Sequence, residues 1–288
     1  MKREVLNKIE NFLSDNIKDC KSVAGGCIND SQILTTERRK KYFLKFNLFS
    51  NKDMFQKEAN GLIELKKPSV IRVPDVISID NDYLLLEMIE QGNKGKTFWE
   101  DFGRNFAKLH KYSGESYGFW EDNYIGSTPQ LNLPEENEKT DWCEFYFNKR
   151  LLFQFRLAEK NGYADSILKS AFGKLEKNIF KILGNELFTP SLLHGDLWSG
   201  NFIIDINGNV CLIDPAVYYG NREADLAMTK LFGGFDQVFY GAYNEVFPFD
   251  DGYLYRENIY KLYHVLNHLN LFGGGYYGQA LNLMKYYS

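Results

Sequence analysis

A predicted β-hairpin in the second half of the chain is the feature that most constrains the fold. The pair Asn207-Gly208 separates two short apolar runs, and both residues tolerate the positive φ angles of a two-residue turn. If Ile206 and Asn209 flank that turn, Asn201 lies directly opposite Asp214. Directly opposed residues have Cβ atoms about 4.5–5.5 Å apart. The hairpin is therefore predicted to bring one amide oxygen and one carboxylate to the same place.

Asp196 adds a second carboxylate, five residues before Asn201 in a glycine-containing loop. Oxygen ligands of this kind suit Mg²⁺, which is usually held by one or two protein groups together with substrate phosphates. Phosphoryl transfer uses the same set, because one carboxylate receives the proton of the acceptor hydroxyl while an asparagine and another aspartate hold the metal. Singly, each residue is explained by turn chemistry. The full pattern, H-G-D-x-x-x-x-N followed by a hairpin and Asp214, favours catalysis.

A lysine inside an apolar strand indicates where phosphates bind in the first part of the chain. Lys45 lies in the run Tyr42–Phe46, and strand alternation puts it on the opposite face from Leu44. The alternative is an edge residue that extends its amine into solvent. Glu58 lies on the helix predicted for residues 53–67, where it is able to pair with Lys45 and hold the ammonium towards phosphates.

The loop of residues 24–30 precedes this strand and is rich in small residues, as expected of a loop that covers phosphates. Gly25 and Gly26 belong to it, although the full G-x-G-x-x-G pattern is absent. Cys27 follows them, where oxidation or a disulfide between two molecules would block access of ATP; a neutral loop residue is the alternative. The strand predicted for residues 83–88 ends the first lobe and offers backbone groups to an adenine edge.

The order of predicted elements indicates an α+β protein with a small β-rich lobe and a larger, mainly helical lobe. Residues 91–95 have linker chemistry, so we predict lobes 1–90 and 91–288. Hydrophobic periodicity gives the elements. Helices are predicted over residues 4–17, 53–67, 98–112, 142–161, 164–183, 223–232 and 253–272, and strands over residues 33–36, 42–46, 70–73, 76–79, 83–88 and 202–213.

Composition limits the classes of function. The chain has 288 residues with 34 basic and 38 acidic side chains, and the net charge of −4 argues against nucleic acid or an anionic membrane as a partner. No run approaches the roughly 18 apolar residues of a membrane span, and the amino terminus lacks the apolar core of a signal peptide. The 4 cysteines show no paired spacing, which predicts a reducing, cytoplasmic location.

Several longer motifs match a known family. The run His194–Asn201, H-G-D-L-W-S-G-N, resembles the aminoglycoside phosphotransferase superfamily of kinase-like folds. Other matches, spread over nearly the whole chain, resemble the fructosamine (ketosamine) 3-kinases more narrowly. They are Gly25–Asn29, Tyr117–Phe119, Asn123–Gly126, Asp214–Ala216, Gly220–Met228, Leu231–Phe235 and Leu262–His268. The resemblance implies a bilobal, protein-kinase-like fold and ATP- and Mg²⁺-dependent phosphorylation of the sugar 3-hydroxyl of a ketosamine, free or protein-bound. The unstable phosphate product then releases the amine, which is deglycation.

The resemblance also implies a role for each matching residue. Asp196 resembles the catalytic base, and Asn201 and Asp214 resemble the metal ligands. Asp225 resembles the aspartate that braces the catalytic loop at the start of a helix. The implied nucleotide-binding residues are the phosphate-binding lysine, its ion-pair partner and the adenine-binding hinge, namely Lys45, Glu58, Leu86, Glu87 and Met88.

Three further features are open or depart from protein kinases. Trp198 lies between the base and a metal ligand, where it either plugs the core or stacks against a sugar. Pro215-Ala216 replaces the Phe-Gly of protein kinases, which argues against an activation-loop switch. His264 and His268 have the i, i+4 spacing of a zinc pair, but core packing is the better interpretation because no third ligand has matching spacing.

Other functions compete with ketosamine phosphorylation. Another kinase of the superfamily would act on an aminoglycoside, choline or methylthioribose. A nucleotide-binding scaffold would bind ATP without transfer, although the complete set of implied catalytic residues argues against it. A metal-dependent hydrolase that uses the paired carboxylates would leave Lys45 without a function, so we rank it last.

Overall fold

The computed structural model describes residues 3–23, 30–47, 53–184 and 188–287. The chain divides into two compact units, Met1–Phe98 with Asn201–Pro215, and Trp99–Gly200 with Ala216–Ser288. The predicted lobes 1–90 and 91–288 stay a prediction. The Asn207-Gly208 hairpin belongs to the first unit.

Strands dominate the first part of the chain and helices the rest, so the α+β class is confirmed. Residues 3–98 contain α1 (Arg3–Leu13), β1 (Ile17–Val23), β2 (Asp30–Thr36), β3 (Lys41–Phe46), α2 (Met54–Lys66), β4 (Val76–Asp80) and β5 (Tyr83–Glu87). The following residues contain α3 (Phe98–His110), β6 (Asn123–Ile125), β7 (Thr128–Gln130), α4 (Trp142–Tyr146), a π-helical segment (Phe147–Leu152), α5 (Phe153–Lys160) and α6 (Ser166–Leu183). The last part contains β8 (Ser191–Leu193), β9 (Phe202–Ile204), β10 (Val210–Leu212), β11 (Tyr218–Gly220), α7 (Glu223–Thr229), α8 (Gln237–Val246), α9 (Tyr253–Phe272), a 3₁₀ turn (Gly274–Tyr276) and α10 (Tyr277–Lys285).

The first unit is built on an antiparallel sheet with the strand order β1-β2-β3-β5-β4. The apolar stripe of α1 packs on one face, where Val5 and Ile9 join a buried cluster with Leu44 and Phe46. Lys45 alternates with these residues along β3 and therefore projects from the other face, as predicted. The hydrophobic pattern of β3 thus holds one buried lysine on a rigid strand.

Two predictions for the first part of the chain are wrong. The helix predicted for residues 4–17 ends at Leu13, and β1 begins at Ile17. Strand β1 is at the sheet edge with mostly exposed polar side chains, so it lacks the alternation that marks a half-buried strand. Residues 70–73 form no strand; Arg72 makes only an isolated bridge to Cys211, and the adjacent proline at 74 has no N–H for a ladder.

The turn of the Asn207-Gly208 hairpin is one residue longer than predicted. The Asp205 N–H donates to the Asn209 oxygen at 2.8 Å, and the Gly208 N–H donates to the Asp205 oxygen at 2.9 Å. Gly208 has a φ of 80°, the left-handed conformation that ends a three-residue loop. The Asp205 carboxylate accepts from the N–H groups of Asn207 and Asn209 at 2.9 and 3.0 Å, which stabilises this longer turn.

Loop length determines strand register, so the predicted direct opposition of Asn201 and Asp214 is wrong. Phe202 pairs with Leu212, and the Ile213 N–H donates to the Asn201 oxygen at 3.1 Å. Asp214 therefore lies one residue beyond the partner of Asn201. Its φ of 55° is in the left-handed region, which is unfavourable for an aspartate in a regular element and turns the chain as the strand ends.

The second unit is mainly helical. The helix predicted for residues 142–161 is a continuous run of α4, the π-helical segment and α5, and α9 has the predicted bounds. Helices α8 and α10 were not predicted; both are short, and each contains tyrosine, asparagine and glycine, which have modest or poor helix propensity. No helix in the part of the chain that the structure describes is long and apolar enough to cross a membrane.

Candidate functional site

A buried lysine lies between two carboxylates in the first unit. The Lys45 Nζ donates to Glu58 Oε1 of α2 at 2.6 Å and to the carboxylate of Asp214. The predicted pairing of Lys45 and Glu58 is therefore present. The structure adds Asp214 as a second partner, 169 residues away along the chain.

The charges of this group keep the lysine protonated. Burial favours the neutral amine, but the charges of Asp214 and Glu58 outweigh it and raise the pKa of Lys45. Burial also raises the pKa of Glu58, because it outweighs the attraction of Lys45. The Lys45 and Glu58 side chains are only 9% and 12% exposed, whereas that of Asp214 is 45% exposed. Asp214 is thus the member of the group that remains open to a ligand.

Asn201 and Asp214 form a donor set that fits Mg²⁺ bound together with phosphates. Asn201 is buried at the start of the hairpin. Its backbone oxygen accepts from the Ile213 N–H, which holds Asn201 beside the end of the second hairpin strand. Within the described residues, no group of three His, Cys, Asp or Glu side chains is able to hold a metal ion. Two oxygen donors without a further protein ligand suit Mg²⁺, which keeps waters and phosphates in its coordination sphere.

The residues of the predicted hinge lie at the end of β5. Leu86 is buried and pairs with Phe43, whereas Glu87 and Met88 are half-buried. The Glu87 N–H donates to the Asp75 oxygen at 2.9 Å, so this group is already satisfied within the protein. The predicted contact with adenine stays a prediction.

Three of the predicted site residues belong to the predicted glycine loop. Gly25, Gly26 and Cys27 lie outside the described residues. Their predicted roles, phosphate binding and redox sensitivity, stay predictions.

The catalytic loop predicted around Asp196 belongs to the second unit and is held by its backbone. The buried Asp225 carboxylate accepts from the N–H groups of His194 and Gly195 at 2.7 and 2.8 Å. Gly195 has a φ of 83°, and a Cβ there would meet the Ala216 oxygen at 1.9 Å. Only glycine allows this approach, so the backbone of the loop is fixed. Asp196, the next residue of this loop, is half-buried.

A buried histidine continues the support of this loop. The His110 Nε2 lies 3.3 Å from Asp225 Oδ2, and its Nδ1 lies 2.8 Å from the Tyr243 hydroxyl. Burial opposes ionisation of Asp225, but the bond with His110, the charges of His110 and His194 and the N–H of Gly195 together outweigh it and lower the pKa of Asp225. His110 is thus the packed structural residue that its place at the end of α3 favours.

Two amide side chains that sequence reasoning did not single out hold the backbone that follows Asp214. The Gln130 Nε2 donates to the Ala216 oxygen at 2.9 Å, and the Asn123 Nδ2 donates to the Val217 oxygen at 2.8 Å. The Tyr263 hydroxyl donates to Gln130 Oε1 at 2.8 Å and fixes its orientation. These bonds anchor the backbone of residues 216 and 217 within the second unit. The predicted absence of an activation-loop switch stays a prediction.

Trp198 is partly exposed in the second unit. It is 37% exposed and lies 5.9 Å from the Phe232 ring, centroid to centroid. Phe232 in turn contacts His268 at 4.8 Å, and His268 contacts Tyr276 at 5.2 Å. A row of partly exposed rings therefore begins beside the catalytic loop, which favours a surface for sugar stacking over a core plug.

The free energy of unfolding is expected to fall as the pH drops below about 6.5, because His264 is buried as the neutral form. Burial, together with the charge of His268, lowers the pKa of His264 to about 3. Below its ordinary pKa, the unfolded chain binds a proton that the folded chain does not, which costs up to about 1.4 kcal/mol per pH unit. Urea unfolding at pH 7 and pH 5 measures this loss, and His264→Gln should lose less than the wild type. Equal losses would contradict the prediction.

Comparison with solved structures defines the class of fold first. The chain superposes on an aminoglycoside phosphotransferase, solved with ADP bound, with a TM-score of 0.68 over 100% of this chain and 99% of that chain. The identity is 12%, so the likeness shows the kinase-like fold alone. A candidate fructosamine-3-kinase from Thermobifida fusca has a TM-score of 0.88 at 27% identity and covers 100% of this chain and 99% of its own.

The family follows from the sequence. The family model described as fructosamine kinase matches residues 1–287, and the chain belongs to this family. It is 39% identical over 274 residues to the chloroplastic protein-ribulosamine 3-kinase of Arabidopsis thaliana, which covers 92% of this chain and 81% of the relative. The chain is therefore a kinase, and membership of the family implies that ATP is the phosphoryl donor.

Proposed function

We propose that this protein phosphorylates the 3-hydroxyl of the sugar in ketosamines, using ATP and Mg²⁺, and thereby starts deglycation. The observation that carries the proposal is the buried Lys45 held between Glu58 and Asp214 in a chain of the fructosamine kinase family. A buried ammonium with an open carboxylate beside it suits phosphates that arrive with a metal ion. A metal-dependent hydrolase that uses only the paired carboxylates does not account for this lysine.

Each residue has a separate role in the proposed reaction. The Asp196 carboxylate receives the proton of the acceptor hydroxyl, and its loop is held in place by Asp225. Asn201 and Asp214 hold Mg²⁺, which when bound neutralises charge on the phosphates. Lys45 binds the phosphates and is oriented by Glu58.

Adenine would bind at the end of β5. Its edge would meet the chain at Leu86, Glu87 and Met88, and the loop with Gly25 and Gly26 would cover the phosphates. Catalysis would then come mainly from positioning and charge neutralisation, because phosphoryl transfer requires little covalent chemistry from the protein.

The acceptor is a ketosamine, either free or attached to a protein. The relative from Arabidopsis thaliana supports this choice of acceptor, because it is a protein-ribulosamine 3-kinase by name. Trp198 is the proposed contact for the sugar, because its ring is partly exposed beside the catalytic loop. The predicted cytoplasmic location, and the predicted absence of nucleic acid and membrane partners, stay predictions from composition.

A panel of acceptors tests the proposal. Ribulosamine, erythrulosamine and fructosamine derivatives of lysine should each be tested with ATP and Mg²⁺, with coupled detection of ADP and location of the phosphate by phosphorus NMR. We expect a 3-phosphate on at least one ketosamine and no transfer to the matching free sugar or to lysine. Transfer only to an aminoglycoside, choline or methylthioribose would assign a different kinase, and ATP binding without transfer to any acceptor would favour a scaffold.

A further inference from the structure

One arginine joins two parts of the first unit that the proposed function assigns to the nucleotide. Arg72 lies between α2 and β4, and its Nη2 donates to Glu87 Oε1 at the end of β5 at 2.5 Å. Its Nη1 donates to Asp205 Oδ2 at the hairpin turn at 3.0 Å. A single guanidinium therefore bridges the predicted adenine-binding strand and the hairpin that carries Asn201 and Asp214.

The hairpin end of this bridge is rigid. The Asp205 side chain is only 4% exposed, and its other oxygen is occupied by the N–H groups of the turn. Burial disfavours a charge on Asp205, but the bonds from Asn209 and Arg72 outweigh it and lower its pKa. A buried carboxylate is costly without a cation beside it. The ion pair with Asp205 therefore holds the Arg72 guanidinium against the hairpin.

The backbone reinforces the same connection. The Leu212 N–H donates to the Arg72 oxygen at 2.9 Å, and the Gly92 N–H donates to the Ile204 oxygen at 2.9 Å. A Cβ at Gly92 would lie 2.5 Å from the Asp205 oxygen, so glycine allows the chain after β5 to approach the hairpin. Both strands of the hairpin are thus tied to segments that flank β4 and β5.

We propose that Arg72 is a positioning residue that fixes the metal-binding hairpin relative to the adenine-binding strand. The inference rests on the proposed function. The two parts bind opposite ends of one nucleotide, so a change in their relative position weakens binding of Mg²⁺ and ATP together. Adenosine contacts only the strand and loses no affinity.

Three variants separate this role from a general effect on stability. Arg72→Met keeps the apolar stem and removes both ion pairs. Arg72→Lys keeps the charge, but its single ammonium does not reproduce the planar fork that reaches both carboxylates. The matched control is Lys8→Met, which removes an exposed 2.6 Å ion pair with Asp80 in the same unit.

Two measurements do not depend on turnover. Calorimetry gives the dissociation constants of adenosine and of ATP with Mg²⁺, and hydrogen exchange follows the hairpin peptide, including the Leu212 N–H. For Arg72→Met we expect ATP with Mg²⁺ to bind about 10- to 100-fold more weakly, as is typical when a partner that orients metal ligands is lost. Adenosine affinity should be unchanged and exchange in the hairpin faster, with Arg72→Lys intermediate and Lys8→Met like the wild type.

Other results would overturn the inference. It is wrong if Arg72→Met binds ATP with Mg²⁺ as Lys8→Met does, or if adenosine and ATP lose affinity equally. If Arg72→Met does not fold, the same two measurements on Arg72→Lys decide. Failure of the proposed function looks different, because the wild type itself would then phosphorylate no ketosamine.

Discussion

Replacing Asp196 with asparagine is expected to lower turnover about 10²- to 10⁴-fold and to leave ATP affinity nearly unchanged. Asparagine keeps the shape of the side chain but does not accept the proton of the acceptor hydroxyl. The loop itself should persist, because Asp225 holds it through the N–H groups of His194 and Gly195. Turnover is measured by ADP formation with a ketosamine acceptor, and ATP affinity by calorimetry.

The control for this experiment is Asp251→Asn, which changes an exposed aspartate of the second unit. It should behave like the wild type in both measurements. Near-normal turnover in Asp196→Asn would refute the assignment of the base. Loss of ATP binding together with turnover would show that the carboxylate supports the fold of the site and not the proton transfer.

Replacing Asp214 with alanine is expected to remove the dependence of ATP binding on Mg²⁺ and to lower turnover by on the order of a hundredfold or more. The variant loses the exposed carboxylate that pairs with Lys45, and this carboxylate is one of the two proposed metal ligands. Lys45 would lose the negative charge of Asp214 and keep only Glu58 as an anionic partner, so the pKa of the Lys45 amine should fall. Calorimetric titration of ATP with Mg²⁺ and with a chelator measures the first effect.

Asp80→Ala is the matched control, because Asp80 also pairs with a lysine in the first unit but lies outside the candidate site. It should retain the full Mg²⁺ dependence. Asp214→Asn keeps one oxygen donor without the charge and should fall between the wild type and Asp214→Ala. An Asp214→Ala protein whose ATP affinity still rises with Mg²⁺ would contradict the ligand assignment.

The position of the turn in the Asn207-Gly208 hairpin was predictable from the sequence, but the register of its strands was not. The Asn207-Gly208 pair predicted the turn, since both residues tolerate left-handed backbone. It did not predict the register, because the Asp205 carboxylate stabilises a three-residue loop in place of a two-residue loop. The amide and the carboxylate still lie at the same end of the hairpin, but through a turn of the chain at Asp214 and not through direct opposition.

The residues that hold the backbone of the candidate site were harder to predict than the proposed catalytic and metal-binding residues. Gln130 and Asn123 act on backbone oxygens of residues 216 and 217, and such contacts leave no periodic pattern in the sequence. Arg72 is a charged residue within the apolar run 70–73, but that run predicts a strand and does not indicate the partners of the arginine. A charged residue between apolar neighbours is informative only when its partners are known.

The amino-acid sequence by itself determined the α+β class and the buried face of β3, because periodicity is a local property. The pairing of Lys45 with Glu58 was predicted from the resemblance to kinases and not from periodicity. Only the tertiary structure decided that Lys45 also meets Asp214, 169 residues away, and that Arg72 meets Asp205, 133 residues away. Contacts of that range depend on how the elements pack, and a buried charge accepts whichever opposite charge the packing brings to it.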